Sequence, residues 1–177
     1  MSLKPVVLLY DLDNAVVDEC AALIGHTGLY TAINTYNETN AVEAMQQYNR
    51  GFGLFTNKLA CLITGWNHYK KPRDQFLFQV RSEEGRSPFR NPTPFIIITE
   101  DHRQDLKQIA LDPTDGNVAA YLHADDFQEI LADTLHKIVF ENRANEMNSI
   151  AYAQLQRQHH VDESPGFHGL RPVDPSQ

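Results

Sequence analysis

The chain has 177 residues, 42% of them hydrophobic, and a formal net charge of −8. That length suits one domain of ordinary size with some residues over, and the apolar share is enough for a sizeable core. Its acidic residues are spread along the chain, which excludes direct nucleic-acid binding as an expectation, because phosphates call for Lys and Arg gathered on one face.

Val6–Tyr10 (VVLLY) runs without a charge into Asp11-Leu12-Asp13. A short continuous apolar run of this kind reads as a strand buried on both faces. Carboxylates at its end stand at the carboxyl edge, where open α/β sheets bind ligands. Asp11 and Asp13 either hold a divalent cation for phosphoryl chemistry there, or Asp13 and Asn14 cap the helix that follows. The spacing favours neither.

Val17, Cys20, Ala21 and Ile24 then repeat at helical steps, and the helix stops near Gly25–Gly28. Leu29–Tyr36 reads as a second strand, and Thr39 or Asn40 caps a second helix with Val42, Met45 and Tyr48 inward. Leu59–Thr64 is a third strand, followed by a loop carrying Trp66, His68 and Tyr69 and a helix marked by Phe76, Leu77 and Val80. Ser82–Pro94 is polar, holds Pro88, Pro92 and Pro94, and reads as a mobile insertion. Phe95–Thr99 is the fourth strand, Leu106, Ile109 and Ala110 mark a fourth helix, and Val118–His123 is the fifth strand.

The last helix starts at Asp125 or Asp126, with Glu129 completing a capping box, and buries Phe127, Ile130, Leu131, Leu135, Ile138 and Val139. No Gly or Pro follows until Pro165, so the pattern predicts one helix to about Arg157, roughly 45–50 Å long. Met147, Ile150, Ala151 and Leu155 would then lie beyond reach of the sheet, a row suited to pairing two chains. The expected division is a domain over 1–140, a helical extension over 141–158 and a disordered tail over 159–177, with His159 and His160 as tail residues rather than ligands.

Cys20 and Cys61 sit in apolar surroundings without the spacing of a zinc site or a disulfide framework, so buried thiols in a reducing cytosol are expected. No signal peptide precedes the first strand and no apolar run approaches a membrane span, so the reading is cytoplasmic, with no membrane contact. Five strand–helix units in sequence call for a doubly wound parallel sheet, flavodoxin-like (βα)5, in the order 2-1-3-4-5.

From Lys4 to Phe140 the chain resembles the receiver domains of two-component response regulators. The likeness rests on the acidic residues after the first strand, GLYTAINTYNETNAVEAM, TPFIIITEDHRQDLKQIA and VAAYLHADDFQEILADTL, in that order. The resemblance implies an acidic Mg²⁺ cluster, an acceptor Asp ending strand three, a Thr or Ser ending strand four and a Lys ending strand five. Asp11 and Asp13 match acidic positions and Thr99 matches the hydroxyl position. The acceptor position falls on Thr64, and the Lys position on Ala124, or on His123 if the register slips by one.

Asp11 and Asp13 are then at best a weak Mg²⁺ site, and no other cofactor is expected. A Thr hydroxyl cannot form an acyl phosphate, and without the Lys no cation clamps the phosphoryl oxygens. The implied protein is a pseudo-receiver without catalysis of its own, working through a protein partner domain, with a homodimer through the last helix as a further expectation.

YDLDNAVVD also resembles the first motif of haloacid-dehalogenase-type phosphatases. That likeness would make Asp11 the nucleophile, Asp13 the acid/base, Thr64 and Lys107 the next motifs, and Asp125 with Asp126 the closing pair on Mg²⁺. Strand order separates the two, since a phosphatase would place strand two away from strand one. A third reading, a small-molecule sensor, rests on Trp66, His68 and Tyr69 lining an aromatic pocket.

Overall fold

The computed structural model describes residues 3–11, 13–49, 59–66, 70–86 and 91–162. Strands β1 (Val6–Tyr10), β2 (Thr31–Thr35), β3 (Leu59–Gly65), β4 (Phe95–Thr99) and β5 (Ala120–His123) form one sheet in the order β2-β1-β3-β4-β5. Every neighbouring pair is parallel. Helices α1 (Asn14–Thr27), α2 (Glu38–Asn49), α3 (Phe76–Glu84), α4 (Gln104–Leu111) and α5 (Phe127–Val139) alternate with them, and α6 (Ala144–Asp162) closes the described chain. This is the flavodoxin-like doubly wound arrangement, with strand two beside strand one.

The sheet divides two cores, because successive strand residues face opposite sides. Val7, Leu9, Cys61, Ile63, Ile96 and Ile98 meet α1 and α5 through Val17, Cys20, Ile24, Phe127, Leu131 and Leu135. Val6, Leu8, Leu62, Phe95 and Ile97 meet α2, α3 and α4 through Met45, Phe76, Leu77, Val80, Leu106 and Leu111. Both cysteines are buried free thiols, and burial pushes Cys20 up to about 12, which suits inert packing groups.

Local chemistry fixes most ends. Asp13 caps α1, its carboxylate accepting from the Ala15 N–H at 2.9 Å, and Gly28 ends that helix at φ 65°, a left-handed position suited to glycine. Asn37 accepts from the Asn40 N–H at 2.9 Å, so the cap of α2 lies ahead of the expected Thr39 or Asn40. The expected capping box at α5 is absent: Asp126 is the N-cap but makes no side-chain cap hydrogen bond. Ile130, expected in the buried stripe, is 40% exposed.

The segment read as an insertion is partly a lock. Helix α3 runs on to Glu84, and the Arg81 side chain is 11% exposed. Its guanidinium donates to Glu84 at 2.6 Å and to the backbone oxygens of Thr93, Gly116 and Asn117. Glu84 in turn accepts from the Thr93 N–H at 2.8 Å. One ion pair thus ties α3 to the entries of both β4 and β5. Residues 87–90 of the expected insertion lie outside the described residues.

The single long last helix is the clearest correction. Helix α5 stops at Val139, Asn142 takes a left-handed φ of 55°, and α6 folds back. The Arg143 N–H donates to Lys137 O at 3.1 Å across the corner, and the Arg143 side chain pairs with Glu141 and Glu146. Asn142 satisfies the turn because Asn tolerates the left-handed region better than other non-glycine residues.

Helix α6 therefore reaches the sheet after all. Leu155 is 2% exposed within the α2–α4 core, with Ala151 and Tyr152 packed beside it, while Met147 packs on the other core. Ile150 faces out at 48% exposure. Asn148, also 2% exposed, donates from one amide nitrogen to Leu111 O at 2.8 Å and to Val118 O at 2.7 Å. Helix continues through 159–162, where a tail was expected, and 163–177 lie outside the described residues.

Asn148 gives a test of that docking. Asn148→Ala leaves two buried carbonyls without a donor and should lower stability by about 2–3 kcal/mol in urea unfolding. Asn148→Asp should cost more near neutral pH, because a carboxylate would face two carbonyl oxygens. Burial would raise that carboxyl's folded pKa above its unfolded value. The Asp variant should therefore be most stable in acid and lose stability as pH rises through the raised value.

Candidate functional site

Parallel strands bring their carboxyl ends to one edge, and the residues singled out in the sequence meet there. Tyr10 pairs with Thr64 across β1 and β3, and Thr99 pairs with His123 across β4 and β5. Thr64 is 4% exposed, and its hydroxyl donates to the neighbouring Gly65 O at 3.2 Å. It is largely buried and its hydroxyl is turned to the local backbone.

The residue that ends β3 is Gly65, one place beyond the expected strand end. Its pairing partner is Ile98, and Asp11 follows Tyr10 on the other side. A Cβ at position 65 would lie 1.7 Å from Asp11 Oδ2, so the Asp11 carboxylate occupies the volume a side chain there would need. Asp11 Oδ1 meanwhile accepts from the Asp13 N–H at 2.9 Å. Asp13 caps α1 with its own carboxylate. The alternative left open by the spacing is thereby decided for Asp13: it is a cap.

These donors do not fit Mg²⁺. That cation needs near-octahedral oxygen ligands, and Gly65 at the strand end offers no side-chain oxygen. The two carboxylates are turned to local backbone N–H groups. Among the described residues no group of three His, Cys, Asp or Glu is placed to hold a metal ion.

On the other side of the edge, Thr99 is buried and its hydroxyl oxygen accepts from the Asp101 N–H at 3.0 Å. Strand β5 ends at His123, so the terminal position is His123 and not Ala124, whose N–H donates to Thr99 O at 3.0 Å. The His123 ring stacks on His102 with centroids 3.9 Å apart, and its Nδ1 lies 3.2 Å from Asp125 Oδ2. His123 Nε2 is buried without a hydrogen-bond partner among the described residues. Strand β5 thus ends in a stacked imidazole ring.

A second polar group lies on the α2–α3 side, and the sequence reading did not include it. Tyr10, Asp11, Thr64, Gly65, Lys70, Gln75 and Phe76 line a shallow cleft with room for roughly one water molecule. Lys70 pairs with Glu38 at the start of α2. Burial works to raise the Glu38 pKa, but hydrogen bonds from Lys70 and Gln79 and the Lys70 charge hold it below its ordinary value. Tyr10 is pushed up, by burial first and then by the charges of Glu38 and Asp11. Glu38 opens α2 and Lys70 lies in the loop after β3, so spacing carried no signal for the pair.

The competing readings lose their footing here. Strand β2 lies beside β1, against the phosphatase arrangement. Lys107 stands on α4 with its Nζ 5.9 Å from the Tyr121 ring, and Asp125 and Asp126 are exposed in the turn before α5. For the sensor reading, Trp66 is 5% exposed and edge-on to Phe78 at 6.1 Å, a core residue. His68 and Tyr69 lie outside the described residues.

Neither a protein-family model nor a curated protein matches the chain. Solved structures do. The signal receiver domain of an HD domain-containing protein from Pseudomonas fluorescens Pf-5 superposes with a TM-score of 0.57 at 18% identity, over 79% of this chain and 97% of that one. A response regulator receiver domain protein from Clostridium thermocellum gives 0.54 at 16% identity, over 82% and 98%. The RcsB response regulator of Salmonella typhimurium, described for its conformational dynamism in DNA interaction, gives 0.62 at 11% identity, over 88% and 69%. The chain has the receiver-domain fold.

The interlock of Gly65 and Asp11 can be measured. Gly65→Ala should destabilise by about 1–3 kcal/mol through overpacking. Removing the obstructing carboxylate in Asp11→Ala should offset part of that loss, giving a double-mutant coupling of at least about 0.5 kcal/mol in chemical unfolding. Strict additivity would mean that the two positions do not share the space.

Proposed function

We propose that this chain is a receiver-like signalling module that acts through contact with a protein partner and does not take phosphate at the usual place. The observation that carries the reading is Gly65. The strand end that would hold an acceptor carboxylate holds a glycine, and Asp11 fills its space. No acyl phosphate can form on a residue without a side chain. His123 ends β5 with its ring stacked and its Nδ1 beside Asp125, so it is not free to follow a phosphoryl group as an ammonium would.

The same reading makes the domain a binding protein rather than an enzyme. Thr64 is buried, Asp13 is a cap, and Lys70 in the cleft is engaged by Glu38. The exposed faces of the helices remain for a partner. In the described residues no helix is long and apolar enough to cross a membrane.

Acetyl phosphate with Mg²⁺ tests the reading through intact mass. The wild-type chain should gain no phosphoryl group, and beryllofluoride should leave the Trp66 fluorescence unchanged. Gly65→Asp combined with Asp11→Ala supplies a carboxylate with room to stand, and should label slowly at most. Adding His123→Lys should raise that labelling, because an ammonium then stabilises the transferring phosphoryl. Wild-type label at Asp11 would overturn the proposal and restore the phosphatase reading.

A further inference from the structure

The bend between α5 and α6 is made by four residues, Phe140 to Arg143, none of them Gly or Pro. Residues 126–157 contain neither Gly nor Pro, so the local sequence is compatible with one continuous helix. The bend instead holds Asn142 at φ 55°, in a region unfavourable to a residue with a Cβ. What keeps α6 folded back is its docking: Asn148 on Leu111 O and Val118 O, Leu155 in the core, and Tyr152 O–H donating to Asp112 Oδ2 at 3.4 Å.

We infer that the groove beside α4 and β5 is an exchange surface, which α6 of a second copy of this chain can occupy in place of its own. Straightening the corner carries α6 away from its domain, and a continuous helix over these residues cannot reach its own sheet. The vacated groove and the extended helix are then complementary by construction, since every contact that α6 makes within one chain is made again between two. Short strained hinges favour such exchange, and the exchanged dimer keeps the native contacts while releasing the left-handed residue. The occupant is a second copy because the groove's acceptors, Leu111 O and Val118 O, are matched by the Asn148 amide and its spacing to Leu155. This surface lies apart from Gly65 and Asp11, and the inference stands or falls independently of the chemistry there.

Asn142 is exposed, so the hinge can be altered without touching either core. Asn142→Ala raises the cost of the bend and should tighten dimerisation about tenfold, while Asn142→Gly eases it and should weaken dimerisation by a similar factor. Light scattering on the full chain over a concentration series, up to millimolar, reads both. Spin labels at Ala132→Cys and Arg157→Cys of one chain, diluted with unlabelled chain, report the hinge. In the dimer their separation should approach about 38 Å, the length of a straight helix between them. Equal masses for wild type and both hinge variants throughout the series would overturn the inference. So would a dimer in which the labels keep the separation they have in the monomer, because its α6 would still be docked at home.

Discussion

The central strands β1, β3 and β4 are apolar on both faces, and that constraint places every other element. Val6, Val7 and Leu8 have no exposed surface, and neither do Cys61, Leu62, Phe95, Ile96 and Ile97. At roughly 25 cal/mol per Å² of apolar surface removed from water, uncovering either side of such a sheet would outweigh the whole stability margin of a domain. Helices are therefore required on both faces, and parallel connections supply them. The edges are less demanding: β2 is only part-buried along most of its length.

Polar anchors then select among the packings that hydrophobic cover allows. Arg81 joins α3 to the approaches of β4 and β5, and its charge is tolerable inside because Glu84 and three backbone oxygens satisfy it. Burial depresses the Arg81 pKa and the Glu84 charge opposes that depression. A pair this enclosed adds less net stability than its distances suggest, since both charges lose hydration. Its effect is directional, because a wrong position for α3 would leave a guanidinium buried without acceptors. Asn148 does the same for α6 with a neutral group and at lower desolvation cost.

At the carboxyl edge the fold sets which residues meet. The strand ends still gather Asp11, Thr99 and His123 in one place, because sheet register alone does that. Strand β3 ends there in Gly65 and β5 in His123, whose ring is stacked. Both positions are packed: Asp11 fills the volume above Gly65, and His102 covers His123.

Strand composition and helical spacing were enough to determine the sheet, its order and most of both cores, because runs such as VVLLY and FIIIT can be buried in few other ways. The inert cysteines were legible for the same local reason, and Asp13 as a cap was one of the two readings its spacing left open. Two things were not legible. The end of β3 fell one residue short because glycine is a poor strand former, and only pairing with Ile98 on β4 holds Gly65 in the ladder. That single residue moves the strand end off Thr64. The last helix looked continuous because its sequence contains no breaker. Its bend is decided by groups far away in the chain, the carbonyls of Leu111 and Val118, which accept from Asn148 only when α6 turns back. Local propensity sets which residues can be helical, but direction at a corner is set by the tertiary contacts that outweigh the modest cost of one left-handed residue.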